Sequence, residues 1–246
     1  MSLQNILSSV RRAITEHNMI QEGDKIVVGL SGGKDSLLLL KALATYRLFS
    51  PQKFTLMAVT VDMGLGADFS DLQKFCKEIE VDYHIEHTDI AQIVFDERKE
   101  KNPCSLCSKM RRGALNSCVN KFGFNKLALG HNADDLSETF LLSLIYEGRL
   151  STFAPVSYMS NSKVTLIRPL VYTFEKDIIA ETREYPILFN PCPANHVTRR
   201  EYMKNLIKSI NKDIPIARDR IHSALTHPER NNLWECQDIS ADYDKK

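Results

Sequence analysis

The strongest constraint on the fold lies between residues 25 and 47, where a β-branched run, a glycine turn and a leucine-rich segment follow one another without a gap. Residues 25–30 (KIVVGL) predict a short buried strand, because Ile and Val crowd a helix but fit a pleated surface. The run stops at Ser31-Gly32-Gly33-Lys34-Asp35-Ser36, and residues 36–47, with Leu37 to Leu40, predict a helix. Strand, turn and helix in that order form the first half of a crossover unit, which demands a parallel neighbouring strand. The alternation recurs, with strands expected at 55–61, 83–87, 126–129 and 164–170 and helices at 70–80, 105–122 and 134–146. An α/β fold built on a parallel sheet is therefore predicted.

Leu3, Ile6, Leu7, Val10 and Ile14 recur at helical spacing and place an amphipathic helix ahead of this unit, in a segment spanning residues 1–24. The α/β domain is expected over 25–173. Beyond it Pro186, Pro191, Pro193 and Pro215 break the chain into shorter helices at 175–184, 198–210 and 214–225, a helical extension over 174–236. Residues 237–246 are polar, lack apolar periodicity and read as a flexible tail. A chain of 246 residues suits this plan of one large domain with an appendage. It has no run near the roughly 18 to 20 apolar residues of a membrane helix and no secretion-signal pattern, so a cytoplasmic protein is expected.

The hexapeptide turn sits between a buried strand and a helix N-terminus. Its glycines let backbone N–H groups approach a ligand, and the helix dipole favours an anion, so phosphate is the natural guest. The Walker spacing is absent, since Val28 stands where its first glycine would be and Asp35 follows Lys34. SGGKDS instead resembles the pyrophosphatase loop of N-type ATP pyrophosphatases, which cleave ATP between the α- and β-phosphates and adenylate a substrate oxygen. In such a loop Ser31, Gly32, Gly33, Lys34, Asp35 and Ser36 would bind the nucleotide. Lys34 would neutralise phosphate charge, Ser31 and Ser36 would donate to phosphate oxygens, and Asp35 would hold Mg²⁺.

Six cysteines in a reducing compartment are read as core thiols, metal ligands or catalytic groups rather than a disulfide framework. Cys104 and Cys107 form a Cys-x-x-Cys pair, and Cys192 stands between Pro191 and Pro193. Taken alone, the pair fits a redox couple, half a zinc site or two packed thiols as well as a cluster ligand set. Residues 104–113 (CSLCSKMRRG), followed by Leu129-Gly130-His131-Asn132-Ala133-Asp134-Asp135, the 167–170 segment IRPL and the late Pro191-Cys192, resemble the tRNA 2-thiocytidine synthetase (TtcA) family over roughly residues 5–230.

That resemblance implies an adenine nucleotide alpha hydrolase-like PP-loop domain. It also implies an ATP-dependent sulfurtransferase that replaces the C2 oxygen of an anticodon-loop cytidine, position 32, with sulfur. Cys104, Cys107 and Cys192 would ligate a [4Fe-4S] cluster and, with Lys34 and Asp35, carry the catalysis. Partners implied are tRNA, a cysteine desulfurase as sulfur donor and a second copy of the chain. Two rival readings are a thiolase that uses a cysteine persulfide without iron and a nucleotide-binding module without turnover. The family commonly has His and Arg at the positions of Asn132 and Ala133, so the loop is a departure.

Asp134 and Asp135 are expected either to cap the helix that begins there or to contact Mg²⁺. Cys118 lies 11 positions after Cys107, about 16 Å along a helix, too far for the same cluster. Cys76 falls among apolar positions and reads as core, and Cys236 as incidental. The net charge of +1 excludes a protein that coats nucleic acid with uniform positive charge, but residues 101–126 hold six basic groups and no acidic one. Residues 196–230 hold eight Lys plus Arg against four Asp plus Glu. Lys109, Arg111, Arg112, Arg199 and Arg200 are the expected phosphate contacts to tRNA.

Overall fold

A computed structural model describes residues 3–98, 103–188 and 199–233. Cys192 and Cys236 lie outside the described residues. Six strands form one sheet in the order β3-β2-β1-β4-β6-β5. They are β1 (Lys25–Gly29), β2 (Thr55–Asp62), β3 (Asp82–His87), β4 (Lys126–Ala128), β5 (Val156–Met159) and β6 (Val164–Ile167). All pairings are parallel except β5 with β6. The helices are α1 (Leu3–Glu16), α2 (Lys34–Arg47), α3 (Ser70–Glu78), α4 (Pro103–Lys121), α5 (Ala133–Glu147), α6 (Glu175–Glu181), α7 (Arg199–Asp213) and α8 (Ala217–Thr226). Among the described residues no helix is long and apolar enough to cross a membrane.

The central strand β1 is buried on both faces, as a parallel strand covered by helices must be. Ile26 and Val28 join the larger core with α1, α2, α3 and α6, while Val27 joins the smaller one beneath α4 with Val59, Cys118, Val119, Leu127 and Leu166. Leu37, Leu38, Leu39 and Leu40 are all fully buried, because α2 lies sandwiched between the sheet and α1. Helix α1 covers it with Ile6, Val10, Ala13 and Ile14. Helices α7 and α8 pack on α5.

Three features differ from the sequence expectation. The edge strand β5 escaped it, since four residues after Pro155 carry too little periodicity to register. A π-helical turn at Gln92–Glu97 was likewise unforeseen. Strand β6 ends at Ile167 rather than 170, because Pro169 offers no N–H to a ladder and the Arg168 guanidinium turns in to donate to Ala154 O.

With strand order 3-2-1-4, the chain runs outward from β1 to β3 and then crosses back past β1 to β4, so the strand order reverses between β1 and β4. The carboxyl ends of β1, β2 and β4 therefore open into the crevice where α/β sheets bind ligands.

Candidate active site

The turn after β1 is locked by its own hydroxyls. Ser36 Oγ accepts from Ser31 N at 3.1 Å and donates to Gly33 O at 2.9 Å, while Ser31 Oγ accepts from Gly33 N at 3.3 Å. Gly32 adopts φ +80°, and α2 starts at Gly33 with no side chain capping it, which leaves its positive end open toward the crevice. Gly130, at the end of β4, lets this turn approach closely: a Cβ there would lie 3.0 Å from the Asp35 carbonyl. Buried Ser36 thus also shapes the loop, its hydroxyl bonded within it.

Two cavities flank the turn. One, of about 250 Å³, is walled by Ser31, Gly33, Thr60, Met63, Phe69, Arg111 and Leu188. Leu188 N donates to Gly32 O at 2.9 Å, and Leu188 is the last described residue before the segment that holds Cys192. Cys104 and Cys107 stand one helical turn apart at the start of α4, Cys104 exposed and Cys107 half-buried with its Sγ 3.5 Å from Met63 Sδ. The first cavity and the Cys-x-x-Cys pair are therefore neighbours.

The second cavity, of about 220 Å³, is lined by charge: Lys34, Asp35, Asp135, Glu138, Arg200 and Lys204. Lys34 Nζ lies 3.1 Å from Asp35 and 3.0 Å from Glu175. Burial works against this ammonium, but the two carboxylates outweigh it and hold its pKa above the usual lysine value. Asn132 caps α5, with Oδ1 accepting from Asp134 N and Asp135 N, while Asp135 Oδ2 accepts from Asn132 N. Its Nδ2 donates to Asp35 Oδ1 at 3.0 Å and ties two helix N-termini together.

A family model described as a PP-loop domain matches residues 4–214. A tRNA-cytidine(32) 2-sulfurtransferase from Citrifermentans bemidjiense is 36% identical over 236 residues, covering 94% of this chain and 92% of that protein. The chain belongs to the PP-loop family of tRNA-cytidine(32) 2-sulfurtransferases. Another member, from Burkholderia cenocepacia, is 39% identical over 237 residues, with 94% of this chain and 72% of that one covered. Among solved structures, the U34-tRNA thiolase NcsA from Methanococcus maripaludis with its [4Fe-4S] cluster superposes with a TM-score of 0.74 at 26% identity, covering 95% of this chain and 80% of the thiolase.

Within this 2-sulfurtransferase fold several expected residues take other places. The expected cap, Asp134 or Asp135, is Asn132. Asp134 accepts from Glu175 N at 2.6 Å and pairs with Arg218 at 3.3 Å, Asp135 accepts from Asn132 N and pairs with Arg200, and both line the charged cavity. Arg200 pairs with Asp135 and Glu138, each at 3.3 Å, at the rim of that cavity, with 43% of its side chain still exposed. Arg199 stacks over Tyr146 at 4.6 Å. Arg111 faces the first cavity, while Lys109 and Arg112 line an open groove of about 640 Å³ between α4 and the β5–β6 hairpin. Lys126, counted in the basic stretch, is buried against Asp24 and Met19 O. Cys76 is core as expected, its thiol pushed up to about 12 by burial.

Sequence reading missed Thr60, Met63, Phe69, Leu188, Glu138, Glu175 and Lys204. None carries a local motif, and only the convergence of β2, α5, α6 and α7 reveals them. His131 is kept neutral, its pKa pushed down to about 4 by burial and then by Arg168, Arg200 and Arg112. Burial raises the Glu138 carboxyl from an ordinary 4.5 to about 7, with Asp135 adding to it and Arg200 opposing.

The folded form thus holds an extra proton on Glu138 between those values. Its contribution to stability is complete below pH 4.5 and is lost as the pH rises through about 7. Glu138→Gln is expected to flatten this slope, removing on the order of 2 kcal/mol of the stability difference between about pH 5 and pH 8. Urea unfolding at the two pH values checks it; an unchanged slope in the variant would assign the proton to another group.

Proposed function

We propose that this chain thiolates tRNA: it adenylates O2 of cytidine 32 in the anticodon loop with ATP and exchanges that oxygen for sulfur, giving 2-thiocytidine. The observation that carries the reading is the PP-loop standing between an apolar cavity and a charged one, with Cys107 against the wall of the first. The adenine enters among Thr60, Met63, Phe69 and Leu188, and the phosphates cross the open N-terminus of α2 onto Lys34 and Lys204. Asp35, with Asp134 and Asp135, would hold Mg²⁺, whose charge would offset that of the departing pyrophosphate. The cytosine O2 forms a bond to the α-phosphorus as the bond to the β-phosphate bridge breaks. Lys34, kept cationic by its two carboxylates, stabilises that leaving charge.

Cys104 and Cys107, on one helix face and beside the nucleotide cavity, fit a cluster ligand pair, and Cys192 would be the third ligand. It follows Leu188 by four residues, at most about 14 Å of chain. A [4Fe-4S] cluster held there would supply sulfur for the exchange at C2, with AMP as the leaving group. Neutral His131 adds no positive charge to a site already rich in arginine. The reading extends to a cytoplasmic enzyme, active as a homodimer and fed by a cysteine desulfurase.

The groove between α4 and the β5–β6 hairpin suits the anticodon arm. Lys109 and Arg112 offer phosphate contacts, and exposed Tyr158 offers a ring for a base to stack on. Lys109→Ala and Arg112→Ala are each expected to weaken tRNA binding and to lower the salt slope of log K by about 1. Filter binding across a salt series reads both. An unchanged slope would place the RNA elsewhere.

The function is tested by nucleoside mass analysis of tRNA from cells that lack the gene, complemented with wild type or Cys192→Ala. Wild type is expected to restore 2-thiocytidine and the variant to leave it absent. Undiminished 2-thiocytidine in the deletion would refute the assignment, and tRNA-dependent release of AMP and pyrophosphate separates a thiolase from a passive nucleotide binder.

A further inference from the structure

On the face of the sheet covered by α4, a set of side chains of metal-ligating types lies apart from both cavities. His84 and Glu86 are two positions apart on β3 and so project from the same face, where Cys118 comes down from α4. His84 Nε2 lies 3.0 Å from Glu86 Oε2, and Cys118 Sγ lies 3.3 Å from the same oxygen. All three donor atoms fall within 4.8 Å of one another. Zinc bond lengths of about 2.0 to 2.1 Å to nitrogen or oxygen and about 2.3 Å to sulfur give tetrahedral edges of about 3.3 Å for N···O and 3.6 Å for S···O. The two measured edges are therefore within a few tenths of an ångström of those of a bound ion.

We propose that His84, Glu86 and Cys118 form a site for a divalent ion of borderline softness, zinc foremost. Nitrogen, oxygen and thiolate sulfur together match that ion better than the all-oxygen sets that magnesium or calcium require. The surroundings fit as well. The Phe122 ring meets the His84 imidazole edge-on at 4.9 Å and fixes its plane, and Cys118 is seated in the smaller core. His84 and Glu86 keep about a third of their side-chain surface exposed at the edge strand, 32% and 28%, which gives an ion its entry and leaves the fourth position to water.

Without metal, Glu86 accepts from Cys118 and has His84 and the Lys121 ammonium, at 3.5 Å, against it. On binding, Cys118 forms a bond from sulfur to the ion and releases its proton to solvent, His84 gives up its Nε2–H for the Nδ1–H tautomer so that the Nε2 lone pair can coordinate, and Lys121 swings out. Because a thiol binds the ion as its thiolate, binding competes with a proton and tightens as pH rises. The bound ion would clamp α4, whose other end carries Cys104 and Cys107, to the edge of the sheet.

The test is full-length, cluster-loaded protein incubated with zinc and desalted, then examined by metal analysis and zinc X-ray absorption. About one zinc per chain is expected, with a single sulfur among nitrogen and oxygen neighbours. Cys118→Ser should remove the sulfur neighbour, and His84→Asn, at a half-exposed position that threatens the fold little, should cut zinc retention while iron content stays unchanged. A second arm uses cobalt on the full chain carrying Cys104→Ala, Cys107→Ala, Cys192→Ala and Cys236→Ala, where a thiolate-to-cobalt charge-transfer band is expected and Cys118→Ser should abolish it. Zinc lost on desalting from the wild type, or a sulfur signal that survives Cys118→Ser, overturns the proposal.

Discussion

Cys107→Ala is expected to lower 2-thiocytidine formation by more than about 100-fold, beyond the ten- to hundred-fold that loss of a mere outer-shell partner costs at a metal centre. ATP affinity should stay within about a factor of two, the range of a substitution outside the contact set. The two readouts separate because of where the residue sits. Its sulfur touches Met63, which lines the first cavity, while the PP-loop is held by bonds of its own: Ser31, Gly33 and Ser36 bond to one another, and Lys34 is held by Asp35 and Glu175. Truncation would therefore remove the proposed ligand and leave the bonds of the cradle in place. Nucleoside mass analysis measures the first quantity and equilibrium dialysis of ATP the second. Loss of both in parallel would make Cys107 a packing residue, and retention of thiolation would remove it from the chemistry.

What the sequence disclosed follows from the range of the interactions involved. The strand-turn-helix unit at residues 25–47 is local, so β1, the turn and α2 were legible from composition and order alone. Asn132 was passed over for the adjacent aspartates because both can cap a helix; only the approach of Asp35, 97 positions earlier, gives its amide a second task. The charge counts were blind for the same reason. Lys126 adds to the basic total along the chain, yet it is buried against Asp24, more than a hundred positions away, while Arg200 pairs with Asp135 and Glu138, more than sixty positions away, and keeps its side chain exposed. Strand β5 needs its hairpin partner β6 to exist at all, and four residues cannot announce that pairing.

Gly32→Ala is expected to destabilise the protein by about 2 to 3 kcal/mol, which for a chain of this length lowers the melting temperature by about 5 to 10 °C. Two costs combine. At φ +80° an L side chain is strained, by about 1 to 2 kcal/mol. The new Cβ would also lie 2.7 Å from Leu188 Cδ1 and 2.9 Å from its Cβ, so Leu188 must move. Leu188 cannot leave freely, since its N–H donates to Gly32 O, a bond worth about 1 kcal/mol. Calorimetry on Gly32→Ala, Leu188→Ala and the double variant isolates the contact. The double variant should be less destabilised than the sum of the singles by more than about 0.5 kcal/mol, because the shortened side chain opens the space the methyl needs. Additive costs would leave backbone strain as the sole cause. Thiolation should also fall further than ATP binding in Gly32→Ala, because Leu188 anchors the chain four residues ahead of Cys192 and its displacement reaches the sulfur ligand before it reaches the phosphates; equal losses would uncouple that anchor from the cysteine.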